Sequence, residues 1–378
     1  MPELRAAVIG AGFVGRAHIE ALRRLGIPIS GVLGSTPERG QETSRVFGLP
    51  RAYATLQEVA ADRDVDVVHV CTPNHLHYEE VSALLRSGKH VMCEKPLAMD
   101  TKQSAALVQL AGAEARIGGV SYNLRYYPLC QEARSLIARG AIGEPRLVHG
   151  GFLQDWLFYP TDWNWRLEPQ LGGQLRAVSD IGTHWLDLMM WLTGRVVKEV
   201  CADLATILPL RQRPRGRSET FQSATSEGDP VSIATDDYAS VLLRFEGGVH
   251  GVMTVSQVSA GRKAFLEFEI NGSEGSLAWN SESPNEMWIG RRNEANRVLL
   301  KDPSLMGSES RGYSNYPGGH TEGYPDTFFN LFRDFYEYIR ASETSKAPAF
   351  PSFQTGHEEL TLCEAIARSA KNGNWVHI

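Results

Sequence analysis

The chain has 378 residues, 42% of them hydrophobic and 22% charged, and a formal net charge of −6. That composition belongs to a globular protein too long for one ordinary core, so two domains are expected. The acidic balance argues against nucleic acid as the main partner, and no apolar run approaches the roughly 20 residues of a membrane span.

Met1-Pro2-Glu3-Leu4-Arg5 has no basic stretch followed by an apolar one, so a secretion leader is not expected. Ala6–Ile9 then reads as a short strand closed by glycines, followed by a helix from about Val14 to Leu25. Ile29–Leu33 is a second strand and Pro37–Phe47 a second helix. Val65–Cys71 is a third strand, Leu76–Arg86 a helix, His90–Cys93 a fourth strand and Thr101–Arg116 a helix. Short continuous apolar strands between amphipathic helices predict an α/β domain, a parallel sheet covered on both faces.

After about residue 122 the strand candidates lengthen and follow one another: Arg146–Phe152, Val197–Thr206, Tyr238–Phe245, Val249–Val258, Phe265–Ile270 and Ser276–Trp279. Turns such as Glu246-Gly247-Gly248 and Asn271-Gly272-Ser273 join several of them, which predicts an α+β domain with a large, mostly antiparallel open sheet. The expected domains are 1–122 and 123–378. Two helices, near Thr327–Ala341 and Gln354–Ala370, close the chain. Leu210–Ile233 is poor in apolar residues and carries Arg211, Arg213, Arg215 and Arg217, so it reads as a solvated loop; a phosphate-binding role for these arginines is the weaker alternative. The five cysteines (Cys71, Cys93, Cys130, Cys201, Cys363) are scattered without metal-ligand spacing, which fits a reducing cytoplasm and no disulfide framework.

Gly10-Ala11-Gly12-Phe13-Val14-Gly15 follows the first strand and opens the first helix. The first glycine allows the tight turn and the second lets backbone approach a pyrophosphate. The third lets helix and strand pack closely, so Gly10, Gly12, Phe13 and Val14 are cofactor-binding candidates. A ribose-binding carboxylate is expected at the end of the second strand, but Leu33-Gly34-Ser35-Thr36-Pro37-Glu38-Arg39 places none there. Ser35, Thr36 and Arg39 suit a 2′-phosphate, which favours NADP over NAD; otherwise Glu38 and Arg39 only begin a surface helix.

Asp180 and His184 stand four apart in Asp180-Ile-Gly-Thr-His184-Trp-Leu-Asp187, and Glu94-Lys95-Pro96 ends the fourth strand. A carboxylate one helical turn from an imidazole can orient it as a base, and a lysine can steady a developing alkoxide. Taken singly, Asp180 reads better as a helix cap, His184 as a structural histidine and Lys95 as a surface residue; their order behind the glycine turn reverses those odds. Either His184 or Lys95 takes the proton. Asp187 either touches His184 or is structural. Five of the eight tryptophans fall between Trp156 and Trp191. Phe152, Trp156, Phe158, Tyr159, Trp163 and Trp165 form either a substrate wall or core and interface. Tyr122, Asn123 and Arg125 are further substrate candidates. No chemistry is expected of His18, and His75 and His77 form no metal site with a nearby carboxylate or thiolate.

These motifs, with Thr72-Pro73-Asn74-His75-Leu76-His77, Gly88-Lys89-His90-Val91, Asn123-Leu124-Arg125, Trp165-Arg166 and Gly172-Gly173, keep the order found in one family. The chain resembles the Gfo/Idh/MocA oxidoreductases, and from Gln257-Val258-Ser259-Ala260-Gly261-Arg262-Lys263 to Pro325-Asp326-Thr327 a bacterial subgroup with levoglucosan dehydrogenase-like members. The resemblance implies a Rossmann domain and a C-terminal domain whose open sheet makes homodimers or homotetramers. It implies NAD(P)-dependent oxidation of a secondary alcohol on a sugar, anhydrosugar or inositol-like polyol. It implies catalytic roles for Lys95, Asp180 and His184, and cofactor contacts from Thr72, Pro73, Asn74, His77, Glu94, Lys95, Trp165 and Arg166. Lys95, Asp180, His184 and Trp163 join Tyr122, Asn123 and Arg125 as substrate-binding candidates. Two other readings are a redox-neutral glycoside-cleaving enzyme with bound NAD and a non-catalytic dinucleotide sensor.

Overall fold

A computed structural model describes residues 4–216, 228–341 and 347–378. Two compact units divide the chain: Met1–Asn123 with Pro325–Leu360, and Leu124–Tyr324 with Thr361–Ile378. The first therefore includes a late stretch of chain beyond the expected 1–122.

In the first unit the elements are β1 (Ala6–Ile9), α1 (Phe13–Arg24), β2 (Ile29–Leu33), α2 (Pro37–Val46), β3 (Ala52–Tyr53), α3 (Leu56–Ala61), β4 (Val67–Val70), α4 (Asn74–Arg86), β5 (His90–Cys93), α5 (Thr101–Ala113) and β6 (Gly118–Val120). All the strands pair in parallel in the order β3-β2-β1-β4-β5-β6. β1 and β4 are buried along their whole length because helices cover both faces, so they show no alternation. The strand order reverses between β1 and β4, which puts the glycine turn at the carboxyl-end crevice where α/β sheets bind ligands.

The second unit begins with α6 (Pro128–Ala138), β7 (Pro145–Leu153) and the short turn α7 (Pro169–Gly172). A π-helical turn, Val178–Gly182, leads into α8 (Thr183–Thr193). Then come β8 (Val197–Ala205), β9 (Leu210–Arg213), β10 (Asp229–Ser232), β11 (Tyr238–Phe245), β12 (His250–Ser256), β13 (Phe265–Gly272), β14 (Ser276–Asn280), β15 (Glu286–Gly290) and β16 (Arg297–Leu300). Helix α9 (Tyr324–Ala341) and the start of α10 (Phe353–Asn372) belong to the first unit from Pro325 to Leu360, and the rest of α10 and the last short strand, β17 (Val376–His377), to the second.

Nine strands form one sheet in the order β16-β15-β14-β13-β7-β12-β11-β8-β17; β7 and β12 run parallel and the rest antiparallel. Here burial alternates: Ala239, Val241, Leu243 and Phe245 of β11 point inward, while Leu242 and Arg244 between them are exposed. The inner face packs on Leu129, Ala133 and Ile137 of α6 and on Trp185, Leu186 and Met189 of α8.

The loop expected over Leu210–Ile233 is instead partly sheet, since β9 and β10 pair antiparallel. Arg211 is fully buried and donates to Asp237 at 2.8 Å, so it is neither solvated nor available to a phosphate. Arg213 pairs with Glu168 and lies over Trp163, and Arg215 pairs with Asp229. Arg217 lies outside the described residues.

Candidate functional site

The glycine turn needs its glycines for separate reasons. Gly10 has φ +102°, and a Cβ there would meet the Cys71 carbonyl oxygen at 2.4 Å. A Cβ on Gly15 would lie 1.8 Å from the Gly10 carbonyl oxygen, so α1 could not pack so closely on the turn. At Gly12 a Cβ would meet nothing within 4 Å. Gly12 is also the N-cap of α1 and has no side chain with which to cap it. Open space before backbone N–H groups at a helix N-terminus fits a pyrophosphate. Phe13 is half exposed beside it.

At the end of β2, Thr36 caps α2 by accepting from the Arg39 N–H at 3.4 Å, so Glu38 and Arg39 do form a helical first turn. The Arg39 guanidinium also donates to Ser35 Oγ, at 3.4 Å on an exposed surface. At the end of β4 the Thr72 hydroxyl donates to Glu80 at 2.5 Å. Burial pushes the Glu80 carboxyl up to about 7 against that bond. Pro73 stands at the N-cap position of α4 without a side-chain capping bond, and Asn74 behind it is buried.

His77, expected to line the cofactor, is fully buried. Its Nδ1 is 2.8 Å from the Pro96 carbonyl and its Nε2 is 2.9 Å from the Thr72 carbonyl. Each nitrogen faces a backbone carbonyl, of which a neutral ring can donate to one, and the ring lies between the turn after β4 and the turn that carries Lys95. Burial holds its pKa below the usual histidine value although both carbonyls favour the charged form.

His18, of which no chemistry was expected, is also fully buried, and its Nε2 lies 3.1 Å from Glu94 Oε1. Its Nδ1 faces the Nδ1 of His69 at 3.0 Å, and His69 Nε2 reaches the Tyr336 hydroxyl at 3.0 Å. Phe328 and Phe332 pack on the pair. Burial pushes the Glu94 carboxyl up, but the hydrogen bond and charge of His18 and the charge of Lys95 outweigh it and bring it down to about 2. Glu94 also accepts from the Lys95 backbone N–H at 3.3 Å, and Lys95 is buried.

In the second unit Asp180 lies in the π-helical turn and does not cap a helix. Its Oδ1 accepts from Arg166 Nε at 3.0 Å and its Oδ2 from Gln257 Nε2 at 2.8 Å. Arg166, expected near a nicotinamide, is therefore held on Asp180. Asn164 accepts from both its backbone N–H and its Nη1 at 3.2 Å, and the guanidinium stacks on Trp165 at 4.3 Å. His184 is half-buried, with the Phe152 ring edge-on at 6.4 Å.

The structure gives four substrate candidates other surroundings. Tyr122 is 1% exposed and packs in the core of the first unit. Asn123 is buried and donates to Thr327 at 2.7 Å. Arg125 forks onto Asp187, with its Nε at 2.6 Å, which also makes Asp187 a structural partner. Trp163 is buried against Leu157, Leu167 and Ile233. Phe158 and Tyr159 of the aromatic segment are exposed.

Sequence reading did not foresee the contacts of His18 with Glu94, of Gln257 with Asp180, or of Arg176 with Gln257. Arg176 stands four positions before Asp180, the one local hint to its place. Among the described residues no three His, Cys, Asp or Glu side chains are grouped to hold a metal ion, and no helix is long and apolar enough to cross a membrane.

Residues 4–122 match the oxidoreductase family with an NAD-binding Rossmann fold, and residues 130–278 match the GFO/IDH/MocA C-terminal domain. The chain is 29% identical to levoglucosan dehydrogenase of Pseudarthrobacter phenanthrenivorans, over 100% of this chain and 99% of that protein. A solved levoglucosan dehydrogenase in complex with NADH and L-sorbose is similar with a TM-score of 0.90 and 29% identity, covering 100% of this chain and 99% of that one. An inositol dehydrogenase homolog complexed with NAD+, from Azotobacter vinelandii, gives a TM-score of 0.87 and 27% identity over 99% and 97% of the two chains. The chain belongs to the Gfo/Idh/MocA family of NAD-binding oxidoreductases.

Proposed function

We propose that this enzyme oxidises a secondary alcohol of a sugar, anhydrosugar or inositol-like polyol with a nicotinamide dinucleotide. The observation that carries the reading is the glycine turn, with its open Gly12 and uncapped α1, at the strand-order reversal. Gly10, Gly12, Phe13 and Val14 would hold the pyrophosphate. The substrate class follows the relatives named above. Bound nicotinamide supplies the hydride acceptor. His184 takes the hydroxyl proton, Asp180 orients His184, and Lys95 donates to the reacting oxygen.

Purified protein is mixed with anhydrosugars, monosaccharides and inositols, with NAD+ and NADP+ in parallel, and absorbance is read at the nicotinamide band. Reduction with one group supports the reading. Silence with cofactor still bound moves it to redox-neutral glycoside cleavage, and equal cellular function in Lys95→Ala and His184→Ala moves it to a sensor. Each variant is expected to lose roughly 100-fold or more in kcat. A His184→Asn enzyme that keeps most of its activity would pass the proton to Lys95.

Exposed Ser35 and Thr36 and half-buried Arg39, where a carboxylate is absent, favour NADP. Arg39→Ala should then weaken NADP+ binding about tenfold and leave NAD+ unchanged; unchanged NADP+ binding would refute the preference. We assign the enzyme to the cytoplasm and to a homodimer or homotetramer joined through the outer face of the nine-stranded sheet. Exposed Leu147, Leu242 and Val252 on that face support the assembly.

A further inference from the structure

We propose that Gln257, backed by Arg176, is a positioning residue that fixes the carboxylate of Asp180; this rests on the catalytic role proposed for Asp180. Gln257 is fully buried just after β12, at the start of the Gln257–Lys263 segment to which no role was attached. Its amide bridges two opposite partners. Nε2 donates to Asp180 Oδ2 at 2.8 Å, and Oε1 accepts from Arg176 Nη1 at 2.8 Å. A flipped amide would set its NH2 against a guanidinium and its oxygen against a carboxylate, so only one orientation satisfies both.

Arg176 cannot turn to relieve that choice. It is fully buried, with Nε donating to Thr235 Oγ1 at 3.3 Å and Nη2 to Asp237. Its backbone N–H donates to Asp236 at 2.6 Å, and the other oxygen of Asp236 takes the Val178 N–H at 2.9 Å. The two aspartates before β11 therefore anchor both the guanidinium and the entry to the π-helical turn that carries Asp180. Arg166 holds the other oxygen of Asp180 from a more exposed position. The inner donor sets where the carboxylate points, and the outer one closes over it. Misplacing a catalytic group by about 1 Å costs on the order of 100-fold in rate.

The test is Gln257→Met, which keeps the volume and removes the donor. We expect kcat to fall at least tenfold, while NADH affinity, read by fluorescence, stays within twofold. In an Asp180→Asn background the same substitution should cost less than threefold, because the group it positions has already been altered. An unchanged kcat, or an equal loss in both backgrounds, overturns the proposal. Should Gln257→Met fail to fold, Gln257→Glu serves: it keeps the Arg176 partner but turns an oxygen on Asp180, and must lose kcat comparably. A crystal structure of the variant reads the Asp180 carboxylate without turnover. A wild type silent on every substrate would sink the dehydrogenase reading, whereas a carboxylate unmoved in the variant would sink this one.

Discussion

At the scale of single residues, two glycines of one turn should fail in opposite ways. Gly15→Ala forces a Cβ onto the Gly10 carbonyl at 1.8 Å, so the βα unit must move and thermal stability should drop by several degrees. Gly12→Ala meets open space. It should melt within about two degrees of the wild type yet bind NADH at least tenfold more weakly. Calorimetry and fluorescence titration read the two effects; a Gly12→Ala protein with normal affinity would remove the phosphate turn from the account. The glycines, Lys95, Asp180 and His184 could be proposed from the sequence because each belongs to a short motif with a spacing. Gln257 and His18 were not. Gln257 reaches Asp180 across 77 positions and His18 reaches Glu94 across 76, so no local pattern announces either contact.

At the scale of elements, the strands read best where sequence states the burial pattern outright. Ile29–Leu33, His90–Cys93 and Tyr238–Phe245 fall where expected. Helix α6 was missed although Pro128 opens it and Gly140, at φ +73°, follows its end. β9 was missed because an arginine reads as solvated until its carboxylate is known, and Asp237 lies 26 positions away. Three histidines of the first unit, His69 and His77 buried and His90 half-buried, make its stability depend on acid. Burial holds His69 well below its usual value, lowers His77, and with the Arg116 charge brings His90 from 6.5 to about 4. The native state thus binds fewer protons than the unfolded chain below pH 6.5, so stability falls as pH falls from there. Glu80, raised from 4.5 to about 7, acts in the opposite sense, but it is one group against three. Urea midpoints should decline from pH 7 to pH 4.5, and less steeply in His90→Gln, whose side-chain oxygen can still accept the Ile117 N–H. A flat profile would contradict the burial of these rings.

At the scale of the whole molecule, the nine-stranded sheet has one face committed to α6 and α8 and another that carries exposed aliphatic side chains. Leu242 and Val252 are directly opposed across β11 and β12. Replacing both with glutamate should leave the inner face packed while light scattering shows a smaller species. An unchanged mass would move the subunit contact elsewhere. The two-unit plan was legible from the switch between short buried strands and long alternating ones. The late return of Pro325–Leu360 to the first unit was not, because nothing in an amphipathic helix names the core it will join.

The two facing Nδ1 atoms of His18 and His69 have room for one hydrogen between them. While Glu94 is a carboxylate it requires the Nε2–H of His18. In the neutral pair that leaves His18 Nδ1 bare, places the shared hydrogen on His69, and leaves His69 Nε2 to receive the tyrosine hydroxyl. Tautomer identity is thereby transmitted along the row, so His69, sealed in the interior, is a natural spectroscopic probe. Its nitrogen-15 resonances should register any event that changes the charge on Glu94.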